Sequence, residues 1–274
     1  MIITKSENMT NGEVDLKNNT FIIPIKIDSQ DRLENFSITF DFLNKNFKTN
    51  IIILEADTEP KIKEKINKNV TYIFYPTEEN FFHRTKYLNI MLNLSKTKCV
   101  CNYDIDVLLP QKSYIIAYDM IINKNIDLVY PFHYGNLQHE INRSGKIVFK
   151  NKYKFEDLKD ENFSLKNYLS EFGHCQFFNR EAYILNGMEN EYFISYGPED
   201  KERYERFNKL GKTIKFIDGY PVYHLEHYRG QDSSEKNFYF HQNWSLYQYL
   251  KSLTSDETKE FYAKIEYRKK YQNN

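Results

Sequence analysis

Hydrophobic positions along this chain alternate between short continuous runs and helical spacings. A polar opening of nineteen residues reads as a lead-in or an edge hairpin, and Phe21-Ile-Ile-Pro-Ile25 is the first apolar run. Asp28 and Ser29 then offer caps for a helix carrying Leu33, Phe36, Phe40 and Leu43 on one face. Residues 50–55 predict a second buried strand, 61–67 a short helix and 70–75 a third strand. Tyr87, Leu88, Met91 and Leu94 mark a helix leading into a strand over 98–103. Such alternation predicts an α/β fold with a mixed, mostly parallel sheet flanked by helices, whose ligands gather beyond the strands' carboxyl ends.

Further along, a helix is predicted over 113–123 and a strand over 126–130. A polar stretch from 133 to 167 breaks the rhythm and reads as hairpins and loop covering a substrate. The pattern resumes with a strand at 174–178, a helix through Tyr183 and Leu185 closed by Asn186-Gly187, and a helix over 198–210 closed by Gly211. Short strands follow at 213–217 and 221–223. The tail, 241–271, is helical, with Trp244, Tyr247 and Leu250 on one stripe. With no internal repeat and no long linker, the expected organisation is a lead-in (1–19), one catalytic-sized domain (20–230) and a C-terminal helical extension (231–274).

The chain has 274 residues, enough to bury a large core, and its 38 Lys+Arg balance 38 Asp+Glu. No global field favours nucleic acid, which is not expected as a partner. Cys99, Cys101 and Cys175 lack zinc-type spacing and read as buried, reduced thiols of a cytoplasmic protein. No apolar run approaches the roughly 18 residues of a membrane span. The basic, Tyr-rich segment 262–271 could dock at the inner face of the membrane, or be an ordinary solvated helix face.

Four segments carry candidate chemistry. Asp104 and Asp106, in Asn-Tyr-Asp-Ile-Asp-Val, stand where the strand over 98–103 ends and are expected on one side of it, two hard donors for a divalent cation facing a diphosphate. Phe82-His-Arg84 could hold a nucleotide's base and phosphate, although Arg84 alone reads as a surface arginine. Gly197-Pro-Glu199-Asp200 looks like an ordinary helix start, yet a carboxylate there facing a cleft can take a proton from a hydroxyl. In Tyr220-Pro-Val-Tyr-His224-Leu-Glu-His227, His224 directly follows the apolar run and is preferred over His227 as a metal ligand.

In order and text these pieces resemble the GT-A glycosyltransferases, especially the β-1,4-galactosyltransferase family and bacterial galactosyl/N-acetylgalactosaminyltransferases of polysaccharide synthesis. The resemblance spans residues 20–229. It rests on Phe21 to Asn35 as the opening strand and donor loop, Phe82-His-Arg-Thr-Lys-Tyr-Leu-Asn89, the Asp-x-Asp strand end, and Phe172-Gly-His through Gly197-Pro-Glu-Asp200. It implies that Pro24, Lys26, Phe82 and Arg84 line the nucleotide pocket, with Asp28 or Asp31 near the uracil. Asp104 would lie by the ribose and donor sugar, Asp106 and His224 would bind Mn2+ or Mg2+, Glu199 would hold the acceptor and Asp200 would be the base. The chain departs from the family at Tyr192-Phe-Ile-Ser-Tyr196, at Lys201, at Pro221 in place of a methionine ligand, and at His174 in place of a glycine.

The expected function is therefore a metal-dependent, inverting glycosyltransferase taking galactose or N-acetylgalactosamine from a UDP-sugar. Its acceptor would be a carbohydrate or lipid-linked glycan of surface polysaccharide synthesis. The rival is a non-catalytic scaffold that binds carbohydrate or nucleotide sugar. A nucleotidyltransferase is disfavoured because no Gly-rich phosphate loop precedes a helix.

Overall fold

The structure, a computed structural model, describes residues 14–66, 70–135, 137–165, 171–229 and 234–272. Strand and helix alternate as β1 (Val14–Ile25), α1 (Gln30–Asn46), β2 (Phe47–Asp57), β3 (Thr71–Pro76), α2 (Arg84–Leu94) and β4 (Cys99–Tyr103). Next come β5 (Val107–Leu108), α3 (Gln111–Ile122), β6 (Leu128–Tyr130), β7 (Gln138–Ile141), α4 (Arg143–Lys152), β8 (Phe163–Leu165) and β9 (Cys175–Asn179). The chain continues through α5 (Arg180–Leu185), α6 (Glu199–Lys209), β10 (Ile214–Phe216) and β11 (Val222–Leu225), then α7 (Phe240–Ser252), α8 (Ser255–Lys264) and α9 (Lys269–Gln272).

Seven strands form the main sheet in the order β10-β6-β9-β4-β1-β2-β3. Every neighbouring pair is parallel except those made by β9, which runs antiparallel to both β4 and β6. This is the mixed, mostly parallel α/β sheet that the alternation predicted. Consecutive residues of β9 serve opposite faces, as a strand's period of two requires. Phe177 meets Phe21 of β1 and Tyr114 of α3, whereas Phe178 stacks on Tyr183 of α5 at 4.0 Å and meets Phe207 of α6. Helices therefore cover both sides. Pro24, which has no N–H for a ladder, comes after the pairing of β1 with β4 has ended at Ile22.

Several details differ from the sequence-based expectation. Strand β1 begins at Val14, not at Thr20, because Val14 and Asp15 pair with Phe47 and Lys48 and Leu16 is buried. Residues 1–13 lie outside the described part. The helix expected over 61–67 is one 3-10 turn, Lys63–Lys65, with residue 67 outside the described residues. Within 133–165 the chain forms β7, α4 and β8 and not merely hairpins and loop. Helix α4 is capped by Asn142, whose side chain accepts from Gly145 N, and it buries only Gly145, Lys146 and Phe149, too narrow a stripe to announce itself. In α7, Tyr247 and Leu250 are buried but Trp244 is 39% exposed.

The strands β5-β11-β7-β8 make a second, small sheet that the pattern did not reveal. Cys99, Cys101 and Cys175 are free and buried, and burial pushes the Cys99 and Cys101 thiols well up. No helix among the described residues is long and apolar enough to cross a membrane. In the segment considered for membrane docking, Tyr262, Ile265 and Tyr267 are buried against the body, and Lys270 pairs with Glu191.

Candidate active site

Beyond Tyr103 the chain turns, with Val107 N donating to Asp104 O at 3.2 Å. Two buried tyrosines hold this turn: Tyr103 Oη donates to Val107 O at 2.6 Å and lies 2.6 Å from Tyr114 Oη, which accepts from Leu109 N. Asp104 N donates to His174 O at 2.9 Å, and Leu225 N donates to Asp106 O at 2.7 Å. Because of the turn, the two carboxylates do not face one point as strand alternation predicted. Asp104 faces Arg84 and Asp106 faces two histidines.

The histidines arrive through the small sheet, where His224 of β11 pairs with Val107 of β5. His224 Nε2 lies 3.6 Å and His227 Nε2 3.0 Å from Asp106, and donor atoms of all three residues lie within 4.8 Å of one another. A carboxylate with two imidazoles is a donor set that suits a divalent transition metal, so both histidines weighed in the sequence are in reach. His224 Nδ1 is buried without a hydrogen bond, and Glu140 Oε2 is 3.7 Å away, placed to orient the ring. Arg32 is 3.8 Å from Asp106 and Arg229 is 3.3 Å from His224 Nε2, so cations flank the group. Burial pushes the Asp106 carboxyl upward, but His224, His227 and Arg32 outweigh it and hold it well below the usual carboxylate range.

Arg84 opens α2. Its Nη2 donates to Asp104 at 2.7 Å, and its Nη1 lies 3.4 Å from Asp200 and 3.9 Å from Glu199. One guanidinium thus joins three of the carboxylates singled out in the sequence. The helix is held there by its other polar face: Thr85 Oγ1 donates to Phe193 O, Asn89 Nδ2 to Glu189 O, and Asn89 Oδ1 accepts from Glu189 N. These bonds tie the Phe82–Asn89 motif to the loop that leads into Glu199 and Asp200. Burial disfavours the Arg84 cation, but Asp104, Asp200 and Glu199 raise its pKa overall.

Glu199 and Asp200 stand in the first turn of α6 and differ in ionisation. Burial and then the neighbouring Asp200 push Glu199 up to about 8, and its Oε2 is buried without a partner. Burial also opposes ionisation of Asp200, yet Arg203 and Arg84 hold it below the usual range. Arg203 is fully buried; its Nη2 bonds Asp200 and its Nη1 donates to both Glu189 oxygens at 2.7 and 2.8 Å. Glu189 also accepts from Asn102 and Tyr183. A buried chain of polar groups therefore runs from β4 to Asp200.

The remaining sequence candidates surround the ends of β1 and α2. Pro24 is buried in β1 and Lys26 is half-buried just past its end. Asp28 is exposed and bonded by Arg32 Nε at 3.1 Å, Asp31 accepts from Tyr228 N, and Phe82 packs on Tyr87. Sequence reasoning passed over Arg32, Arg203 and Arg229. His174 was noted only as a departure. It has φ +70°, a left-handed conformation that costs a non-glycine residue about 1–3 kcal/mol, and its buried Nε2 has no hydrogen bond. Burial and then His224 push its pKa down to about 3.

The mostly parallel seven-stranded sheet flanked by helices is an α/β fold of the GT-A, Rossmann-like kind. A structural comparison matches a crystal structure of GalNAc-T7 with UDP, GalNAc and Mn2+, with a TM-score of 0.58 and 14% identity, over 89% of this chain and 50% of that one. The chain thus spans half the length of that structure. No protein-family profile matches the sequence. No curated protein matches it either.

Proposed function

We propose that this protein is a metal-dependent, inverting glycosyltransferase that moves galactose or N-acetylgalactosamine from a UDP-sugar to a hydroxyl of a carbohydrate acceptor. The observation that carries this reading is the meeting at Arg84 of Asp104 with Glu199 and Asp200, beside the Asp106–His224–His227 cluster. The GT-A fold and a matching structure that holds UDP, GalNAc and Mn2+ support a UDP-sugar transferase with a divalent cation, while inversion and the choice of donor sugar rest on the resemblance over residues 20–229.

On this reading Asp106, His224 and His227 hold a divalent cation, which would compensate charge on the departing diphosphate. Arg84, with Arg32 and Arg229, adds fixed positive charge where that negative charge develops. Lys26, Phe82 and Asp28 or Asp31 border the nucleotide, and Asp104 faces the ribose and donor sugar. Asp200, kept ionised by Arg203 and Arg84, accepts the proton of the acceptor hydroxyl as its oxygen attacks the anomeric carbon. Attack from the face opposite UDP, in one displacement, inverts that carbon. Glu199, protonated near neutral pH, donates a hydrogen bond to the acceptor and so helps to hold it.

Incubation with UDP-galactose, UDP-N-acetylgalactosamine and UDP-glucose in the presence of manganese tests this reading. Metal-dependent release of UDP, lost in Asp106→Ala, is the expected result. Saturable binding of UDP-sugars without any release would instead favour a carbohydrate- or nucleotide-sugar-binding scaffold.

A further inference from the structure

We infer that the partly exposed aromatic row Tyr196–Phe240–Trp244 is a binding platform for an extended oligosaccharide, so that the acceptor is a glycan chain and not a single sugar. The inference rests on the transferase reading for its occupant and on separate residues for its geometry. Tyr196 stacks on Phe240 with ring centroids 6.0 Å apart and planes 22° apart, and Phe240 stacks on Trp244 at 6.1 Å and 22°. Tyr196 is 41% and Trp244 39% exposed, and nearby Phe238 is 88% exposed. Phe240, Trp244 and Tyr247 follow one stripe of α7, with Trp244 and Tyr247 ring centroids 5.4 Å apart, and the stripe runs from the partly exposed rings into Tyr247 and Leu250, which are buried with Phe193. Tyr196 and Trp244 thus keep part of their rings in solvent next to half-buried Phe240, in near-parallel array.

The row is continuous with the candidate active site. Tyr196 precedes Gly197-Pro198-Glu199-Asp200 directly. Asn243, between Phe240 and Trp244, donates to Ile194 O at 2.7 Å and Tyr196 O at 2.9 Å and accepts from Ile194 N. Asn237 donates to Ser195 Oγ at 2.8 Å, securing the same loop from the start of α7. The approach is so close that a side chain at Gly197 would meet Asn243 Cβ at 2.8 Å. These bonds fasten α7 to the loop that runs directly into Glu199 and Asp200.

The chemistry of the surface selects its occupant. The C–H faces of pyranose rings carry partial positive charge and meet the negative face of an aromatic ring favourably. Helix α7 has no acidic residue in its first turn, and its basic residue is Lys251 in the last turn, away from Phe240 and Trp244. An anionic lipid surface or a nucleic acid would need cations along the rings. Exposed His241 and Gln242 instead offer hydrogen-bonding groups for hydroxyls.

Trp244 is the only tryptophan in the chain, so its emission reports on this surface without a label. The test titrates the full chain with hexasaccharides of glucose, galactose and N-acetylglucosamine and with the corresponding free sugars. A saturable emission change with at least one hexasaccharide, at about tenfold lower concentration than its monosaccharide, is expected. Phe240→Ala and Tyr196→Ala should each weaken it about fivefold, while Tyr249→Ala, on α7 but off the row, stays within about twofold. Circular dichroism identifies a variant that has failed to fold, and the other variant then decides. No response to any hexasaccharide, equal response to monomer and hexamer, or unchanged affinity in both variants overturns the platform. Self-association abolished by Phe240→Ala would assign the rings to a second copy and also overturn it. Calorimetry of UDP with manganese on the same wild-type preparation tests the donor reading separately. UDP heat without an oligosaccharide response rejects the platform alone; the reverse supports the platform and rejects transfer.

Discussion

The Arg84 guanidinium lies 3.4 Å from the Asp200 carboxylate, across 116 residues of sequence. On the proposed reading, this contact joins the nucleotide-binding residues to the acceptor-binding ones. If Asp200 is the base, Asp200→Asn keeps the shape and removes the proton acceptor. Turnover should fall about 10²- to 10⁴-fold, the scale of lost general-base catalysis, with UDP affinity nearly unchanged. Steady-state kinetics alongside calorimetry checks both halves, and full activity would remove Asp200 from the mechanism.

Asp106→Ala removes the carboxylate of the candidate metal group. Because outer-shell changes alone cost about 10- to 100-fold in metal affinity, loss of a direct ligand should cost at least that. Manganese-assisted UDP affinity measured by calorimetry should drop accordingly. His224→Ala and His227→Ala, run in parallel, rank the two imidazoles. Unaltered affinity in all three variants would mean that the cation binds elsewhere.

Glu199 carries a proton at neutral pH and loses it near pH 8. Activity should therefore decline as pH rises beyond that value, because ionisation adds a charge beside Asp200 and removes a hydrogen-bond donor. Glu199→Gln, a permanent neutral donor, should flatten this alkaline limb. The same group links stability to pH. The folded chain keeps a proton that the unfolded chain releases above about pH 4.5, so its stabilising contribution is full below that pH and is lost as pH rises through 8. The difference in Tm between wild type and Glu199→Gln, followed from pH 4 to 9, should shift in that direction, and a constant difference would contradict the assignment.

Arg203→Met would leave Glu189 buried and unpaired. The expected cost is about 3–5 kcal/mol in urea denaturation, the range for breaking one side of a buried ion pair. Adding Glu189→Gln should recover part of that loss, and the double-mutant cycle measures the coupling. Strict additivity would show that the two groups do not act as a pair.

Much of this site was legible in the sequence, and its gaps have physical causes. The apolar pattern placed Arg84, Asp200 and Asp106 at element boundaries, and only the resemblance to GT-A glycosyltransferases gathered them into one candidate site. The sequence preferred His224 over His227, whereas the structure brings both to Asp106 once β11 has paired with β5. That pairing was invisible because β5, β7 and β8 contain only two to four residues each. Arg203 escaped notice because α6 reads as a solvated, charged helix, although it buries Glu199 together with the ion-paired Glu202, Arg203 and Arg206. His174 departs from the glycine of the resembling family, and its positive φ shows what a glycine at that position would ease.

Among the described residues, the reversed strand β9 is the sole ladder between β4 and β6, so the main sheet consists of two halves whose strands are hydrogen-bonded together only through residues 175–179. During synthesis the first half, ending in β4, emerges more than seventy residues before its closing partner. Until then one edge of β4 has no strand to pair with, a state open to pairing with other chains. Maturation of this protein therefore hinges on how quickly a late five-residue segment reaches an early one, and mutations in β9 would first show themselves as poor yield.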